Sequence, residues 1–221
     1  MNPIILVPVK DAAKAKSRMS PLLNADERAA VACALLEDLI RALRPLPFPV
    51  AVATDLARAA ALVRTLRWEA FHEEDQISES SSVDAASKRL AGNGFDAVLR
   101  LPADLPLVRT EDIAELLSQP LPSPPRLPSW RPPVPGWAPM RSCAPPLDVF
   151  PSRFGHDSFA GHIREAAAAG AQLRIVENPR IALDLDDPAD IAHFLAQPAA
   201  GETYRVLLKL RVKERLLHYA G

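Results

Sequence analysis

Ile4-Ile5-Leu6-Val7-Pro8-Val9 is followed by a polar stretch carrying Lys10, Lys14, Lys16, Ser17 and Arg18. The apolar, β-branched run predicts a buried strand, and the cations then sit on the connection that leaves its carboxyl end. Working outward, Asn24 stands three residues before Glu27, a helix start of the capping-box kind. Ala29, Ala32, Leu35, Leu36, Leu39 and Leu43 then mark one helical face that ends before Pro45. Val50 to Thr54 reads as a second strand, Asp55 to Arg67 as a helix, and Trp68 to His72 as a short strand. Residues 73–81 are polar and read as loop. Val83 to Leu90 reads as a helix stopped near Gly92 and Gly94. Ala97 to Leu101 is a further buried strand, and Thr110 suits the cap of a helix reaching about Ser118. Asp157 to Ala169 reads as a helix stopped by Gly170. Leu173 to Val176 and Ile181 to Leu185 read as short strands. Asp187 caps a helix with Pro188 in its first position and Ala196 near its end. Tyr204 to Tyr219 reads as a basic helix. Strands alternating with helices predict an α/β fold with a mostly parallel sheet covered on both faces. Ligands of such folds bind beyond the carboxyl ends of the strands, so the polar residues found there carry the functional weight.

Composition sets the outer bounds. The chain has 221 residues, 48% apolar and 24% charged, enough for one sizeable α/β core. Twenty-six basic residues against 27 acidic ones give a net charge of −1, which argues against a general nucleic-acid or membrane-surface protein. Two cysteines, Cys33 and Cys143, cannot build a disulfide framework and suggest a reducing compartment. The first apolar run is too short for a signal-peptide core, and no run approaches a membrane span. A cytoplasmic protein is expected.

Four constellations lie at the predicted strand ends. Lys10, Lys16, Ser17 and Arg18 suit a polyphosphate grip, or are a solvated loop. Asp104, between Pro102 and Pro106, suits a Mg²⁺ ligand or a turn former. Asp184 and Asp186 alternate, so on a strand they share a face. Two carboxylates there repel unless a cation joins them, which favours metal ligation, whereas Asp187 is explained as a cap. Gly155, Ser158 and His162 stand at a helix start that offers amides and a hydroxyl to an anion, although taken alone an ordinary first turn explains them better. A basic loop, a hard-cation carboxylate set and an anion-binding helix start together suit phosphoryl or nucleotidyl transfer. No Gly-x-x-x-x-Gly-Lys, no Gly-x-Gly-x-x-Gly and no Cys/His zinc set occurs.

These residues carry a family resemblance. Val7-Pro8-Val9-Lys10, Ala15-Lys16-Ser17-Arg18-Met19-Ser20 and Glu27-Arg28 resemble the opening of the phosphoenolpyruvate/2-phospholactate guanylyltransferases, which make the guanylylated precursor of coenzyme F420. Leu101-Pro102-Ala103-Asp104-Leu105-Pro106-Leu107 resembles their PADLPL segment. Phe154-Gly155, Ser158-Phe159 and His162 resemble FGxxSFxxH. Ala182-Leu183-Asp184-Leu185-Asp186, Pro188 and Asp190 resemble ALDIDTPxD. The matches run in family order over about residues 4–195. The resemblance implies a three-layer α/β/α fold of the nucleotide-diphospho-sugar-transferase kind with a central mixed sheet. One nucleotidyltransferase domain would cover residues 1–200, with an atypical segment at 120–147 and a helical tail at 201–221. It implies Mg²⁺ on Asp104, Asp184 and Asp186, GTP phosphates on Lys10, Lys16, Ser17 and Arg18, and a phosphorylated three-carbon acid on Gly155, Ser158 and His162. Neither nucleic acid nor membrane is expected as a partner. The apolar stripe Leu208, Val212 and Leu216 suits self-packing first and a homodimer second. Other readings kept open are a catalytically impaired nucleotide-binding protein of the same fold and a nucleotidyltransferase for another small phosphorylated acceptor.

Two stretches depart from the family pattern. Ser80-Ser81-Ser82-Val83-Asp84-Ala85-Ala86 stands where members carry a Gly-Leu-Asn-like element. The larger departure is proline: eleven of 23 prolines, with Trp130 and Trp137, fall between Pro120 and Pro146. Members have a strand there and then APDRxGxGTNALL, whose Thr-Asn part lines the acceptor site. Read from the third base of each codon, Trp137-Ala138 forces Gly, Ala138-Pro139 allows Thr and Pro139-Met140 allows Asn. The following steps allow Ala-Leu-Leu with a CGN codon for Arg141 and a TCN codon for Ser142. Two compensating frame changes flanking roughly residues 126–147 account for this register; the alternative is a lineage-specific Pro-rich loop. Either way, prolines at alternate positions predict an irregular surface loop in place of an interior strand.

Overall fold

The computed structural model of the chain describes residues 2–9, 16–54, 61, 63–66, 68–72, 79–118, 140–143, 151–152, 158–170 and 176–219. The chain divides into two compact units. The first comprises Met1–Val9, Pro47–Pro102 and Ala114–Glu177 and contains the sheet. Its strands are β1 (Pro3–Val9), β2 (Val50–Thr54), β3 (Glu69–His72), β4 (Ala97–Arg100) and β5 (Met140–Cys143). They lie in the order β3-β2-β1-β4-β5. β1 pairs in parallel with β2 and β4, and β2 with β3, while β5 runs antiparallel to β4. The sheet is thus mostly parallel, as the alternation of elements predicted, and mixed, as the family resemblance implied.

The run Ile4–Val7 is buried on both parities, as are Val50–Ala53 and Ala97–Leu99, which is what a sheet covered on both faces demands. Ile4, Leu6, Ala51, Ala53, Phe71 and Val98 form one cluster with Val83, Ala86 and Leu90 of α2 (Glu79–Gly92). Pro8 sits in a strand with neighbours on both sides, yet costs little. Pairing with β4 stops at Leu6↔Arg100, whereas pairing with β2 runs on to Val9↔Thr54. At Pro8 only the β2 side carries a ladder, so the missing N–H removes no bond to β4.

The second unit comprises Lys10–Leu46, Ala103–Ile113 and Asn178–Gly221. It holds α1 (Ala25–Leu43), α5 (Pro188–Ala196), α6 (Glu202–Lys209) and α7 (Val212–Tyr219). α3 (Thr110–Ser118) begins in this unit and ends in the first, which also contains α4 (Ser158–Ala168). Met19, Leu23, Val31, Leu35, Leu183, Leu185, Ile191, Phe194, Leu207 and Val212 make its core. The capping box expected at Asn24 is formed: Asn24 accepts from the Glu27 amide and Glu27 from the Asn24 amide, each at 2.9 Å. Asp187 caps α5 in the same way with Asp190, behind Pro188. Among the described residues no helix is long and apolar enough to cross a membrane.

Several local expectations are corrected. The buried stripe of α1 is Val31, Ala34, Leu35, Leu39, Ala42 and Leu43, while Ala29, Ala32 and Leu36 are only half-buried. α2 starts at Glu79, inside the stretch read as loop, because Ser and Glu there are tolerated in a first helical turn. Thr110 does not cap α3; its hydroxyl donates to the Ala42 carbonyl at 2.8 Å, and Asp112 accepts from the Arg109 amide at 2.9 Å instead. Ile181–Leu185 forms no strand: Leu183 and Leu185 are buried and Asp184 and Asp186 half-buried, so the alternation is real, but no ladder accompanies it. The tail is two helices, broken where Arg211 takes a left-handed φ of 55°. Its Leu207 and Val212 are buried in the unit's own core and Leu216 packs against it, while Leu208 and Leu217 are exposed.

Within the proline-rich segment, Met140–Cys143 forms strand β5, at the edge of the sheet among the described residues, and not irregular loop. Those four residues contain no proline, so every amide can donate, and the edge position needs a ladder on one side only. The rest of the segment, the strand expected at Leu173 to Val176 apart from Val176, and most of the helix expected at Asp55 to Arg67 lie outside the described residues; residues 61 and 63–65 are helical.

Candidate active site

The site grows from three separate stretches of the second unit. Lys16 follows the connection that leaves β1 and precedes a single 3₁₀ turn, Ser17–Met19, with φ 59° and ψ 33°. Asp104 lies in the turn after β4, between the two prolines. Asp184 and Asp186 lie on the extended segment that leads into α5. The Leu185 amide donates to the Asp104 carbonyl at 3.1 Å, which ties the two acidic segments together. Buried Leu183, Leu185 and Ile191 anchor the second segment, so the alternate side chains Asp184 and Asp186 turn away from the core.

One carboxylate oxygen from each of Asp104, Asp184 and Asp186 lies within 4.8 Å of the others. The Lys16 ammonium donates to Asp104 Oδ2 at 2.6 Å and to Asp186 Oδ1 at 2.7 Å, with only 9% of its side chain exposed. Arg18 Nη2 stands 3.5 Å from the other Asp186 oxygen, Oδ2, and is largely exposed. Burial alone would push the Lys16 ammonium down, but the charges and hydrogen bonds of Asp104 and Asp186 more than offset it, so it is held above the usual lysine range and stays charged. Asp184 is pushed up to about 6 by burial first and by the charges of Asp104 and Asp186 second. One ammonium and a more distant guanidinium therefore leave this carboxylate set short of positive charge.

The donor set fits a hard divalent cation. It offers three anionic oxygen ligands from different segments, close enough to share one ion, and it already holds a compact cation between two of them. Asp190 supports the set from behind: its Oδ2 accepts from the Asp186 and Asp187 amides, both at 2.9 Å, which fixes the backbone that carries Asp186. This supporting role was legible as the third helical position of the box begun by Asp187.

Of the residues expected to act, the structure brings Lys16, Arg18, Asp104, Asp184 and Asp186 together. Ser17 is exposed in the same turn. Ser158 opens α4 in the first unit, and His162 is a buried residue of that helix. Lys10 and Gly155 lie outside the described residues. A second polar cluster, in the first unit, was not anticipated. Asp84 of α2 accepts from the Ser152 amide at 3.0 Å and from its hydroxyl at 2.6 Å. Arg100, almost fully buried in β4, donates to Ser87 at 3.1 Å and stands 4.0 Å from Asp84. The one signal for it was an arginine inside an otherwise apolar strand.

Comparison with known proteins identifies the family of the chain. The family model described as "Guanylyl transferase CofC like" matches residues 3–121. A phosphoenolpyruvate guanylyltransferase of Rubrobacter xylanophilus is 29% identical, over 93% of this chain and 98% of its own. One from Nocardia farcinica is 31% identical, over 92% of this chain and 89% of its own. A 2-phospho-L-lactate guanylyltransferase of Methanothrix thermoacetophila is 29% identical, over 86% and 81%. Among solved structures, a nucleotide-diphospho-sugar transferase of Desulfovibrio desulfuricans G20 superposes with a TM-score of 0.71, covering 99% of this chain and 98% of that one at 16% identity. That last likeness speaks for the fold alone. With a family model matching more than half of its length, and with these relatives spanning most of it, the chain belongs to the CofC-like guanylyl transferases.

Proposed function

We propose that the protein transfers GMP from GTP to phosphoenolpyruvate or 2-phospho-L-lactate and releases pyrophosphate, a step in the making of coenzyme F420. The observation that carries the reading is the meeting of Asp104, Asp184 and Asp186, with the Lys16 ammonium between Asp104 and Asp186, in a chain of this family. An oxygen of the acceptor phosphate attacks the α-phosphorus of GTP. The new P–O bond forms as the bond to the β-phosphate bridging oxygen breaks, and that oxygen leaves on pyrophosphate. The nucleophile is already an anion, so no side chain has to take a proton from it. Lys16 and Arg18 supply positive charge for the nucleotide phosphates, Lys16 as a point charge on a flexible stem and Arg18 as an exposed fork. Mg²⁺ held by Asp104, Asp184 and Asp186 would supply Lewis-acid neutralisation of the phosphate oxygens. Lys10 and Ser17 extend the nucleotide grip, and Gly155, Ser158 and His162 serve the acceptor.

The density of proline between Pro120 and Pro146 favours a second reading, a protein of this fold that binds GTP but transfers poorly. One experiment separates the two: incubation with GTP, Mg²⁺ and each acceptor in turn, with pyrophosphate followed. Pyrophosphate released with phosphoenolpyruvate or 2-phospho-L-lactate supports the transferase. GTP binding with no pyrophosphate from any acceptor supports the impaired protein. In the active case, Asp184→Ala lowers metal-dependent turnover by about a hundredfold or more, the scale of removing one transition-state stabilising contact. Unchanged turnover in that variant would remove Asp184 from the metal site.

A further inference from the structure

We propose that Lys16 is the placeholder of the metal site: its ammonium holds the cation position between Asp104 and Asp186 and is displaced when a divalent ion binds. This rests on the reading of Asp104, Asp184 and Asp186 as the metal ligands. The Lys16 Nζ lies 2.6 Å from Asp104 Oδ2 and 2.7 Å from Asp186 Oδ1. Asp104 and Asp186 each also contribute one carboxylate oxygen to the set that lies, with Asp184, within 4.8 Å of one another. A divalent ion bonded to the same oxygens, at about 2.1 Å, would compete with the ammonium for their negative charge. The two cations repel at such short range, so metal binding opposes the lysine contact and the lysine opposes metal binding.

The backbone is arranged for such a displacement. Lys16 holds a left-handed φ of 59°, rare for a residue with a side chain, and makes no capping hydrogen bond with that side chain. Its grip on the carboxylates is the compensation visible for that conformation. Once the ion takes over the carboxylates, nothing in the described geometry keeps the ammonium there. Its four-carbon stem can then carry the charge toward an anion bound at the same ion. Arg18 is not equivalent. It reaches only Asp186, at 3.5 Å, from an exposed position, and need not move.

Two consequences follow. The native chain binds a divalent ion weakly when no nucleotide is present, because each ion must evict a buried ammonium. Nucleotide phosphates accept the evicted charge, so GTP and metal strengthen each other's binding by the same factor.

The test is titration of the nucleotide-free, metal-free protein with Mn²⁺ alone, with free ion followed by electron paramagnetic resonance at constant pH and ionic strength. Lys16→Met, which keeps the length and removes the charge, is expected to bind Mn²⁺ about tenfold more tightly or better, the scale of one lost ion-pair competitor. Lys16→Gln provides a second neutral variant, and thermal unfolding checks that each is folded. Equal or weaker Mn²⁺ binding by folded neutral variants overturns the proposal. Asp184→Asn added to Lys16→Met is expected to abolish the tight binding. If tight binding survives that second change, the ion sits elsewhere and the metal-site reading itself fails. If Asp184 governs binding but Lys16 does not oppose it, the metal site stands and the placeholder falls.

Discussion

Gly201 joins α5 to α6 with a φ of 122°, a conformation that side chains rarely adopt. A Cβ added there would lie 2.8 Å from Asp38 Oδ1 and 2.9 Å from Oδ2. That carboxylate is not free to move aside. It accepts from the Glu202 and Thr203 amides, each at 2.8 Å, and so satisfies from α1 amides at the start of α6 that have no partner within the helix. Arg41 holds it at 3.0 Å as well. Gly201→Ala is therefore expected to cost about 2–4 kcal/mol, backbone strain plus a weakened cap. Urea unfolding would read this as a lower midpoint at constant slope; an unchanged midpoint would mean that Asp38 is not fixed by these bonds. The comparison with the active-site residues shows what a sequence displays at this scale. Asp184 and Asp186 stood out because two alternating carboxylates beside an apolar run have no local explanation, whereas Lys16 and Asp104 also suited a solvated loop and a turn former. Asp38 looks like any exposed helical acid, since the amides it serves lie 164 and 165 residues away. Asp84 is hidden for the same reason, its partner Ser152 being 68 residues distant.

At the scale of elements, the start of α3 shows how a short-range rule is overridden. Thr110 has the chemistry of a cap, but its hydroxyl serves the end of α1, and Asp112 takes over the free Arg109 amide. Asp112 also accepts from Asn178 and from the Arg180 guanidinium, which fastens α3 to the segment ahead of Asp184. Burial works against the Asp112 charge. The bonds from Arg180, Asn178 and the Arg109 amide outweigh it, and the carboxyl is held below its ordinary value of 3.8. The native state then binds this proton less tightly than the unfolded chain. Its contribution to stability is complete above the unfolded value and is lost as pH falls through the lower native one. Melting temperature measured from about pH 5 down to about pH 2 should fall partly through this group. Asp112→Asn should cost about 3 kcal/mol near neutrality and flatten that acid limb; an equally steep limb would assign it to other carboxylates. Helix limits and strands were legible where the cue was local: the boxes at Asn24 and Asp187, and the apolar runs of β1, β2 and β4. The strand expected at Ile181 to Leu185 was not, because alternation reports which side is buried and cannot report whether a neighbouring strand is there to pair. The break at Arg211 was equally silent, since nothing in Leu210-Arg211-Val212 forbids a continuous helix.

At the scale of the whole chain, one region stands apart from an otherwise consistent member of its family. The family model matches residues 3–121, and the prolines crowd between Pro120 and Pro146. The antiparallel edge strand β5 occupies the proline-free Met140–Cys143, so the sheet retains a fifth strand where the chain chemistry still permits one. Read from the third base of each codon, Trp137 and Ala138 force a glycine. If Arg141 uses CGN, the Met140-Arg141 step forces an alanine three places later, with Thr and Asn allowed between them. Two compensating frame changes flanking roughly residues 126–147 explain both the proline excess and this register. On the resemblance to the family motif, whose Thr-Asn part is expected to line the acceptor, they would place the defect at the acceptor wall. Resequencing the DNA decides it. An uninterrupted frame whose codons cannot spell Gly-Thr-Asn-Ala-Leu-Leu eliminates the idea and leaves a proline-rich loop of this lineage. Codons that do spell it call for a second chain in which residues 126–147 are translated in the shifted frame. That chain should release pyrophosphate with a lower KM for the acceptor and an unchanged KM for GTP. The nucleotide-side groups Lys16, Arg18, Asp104, Asp184 and Asp186 all lie outside the segment and are identical in both chains.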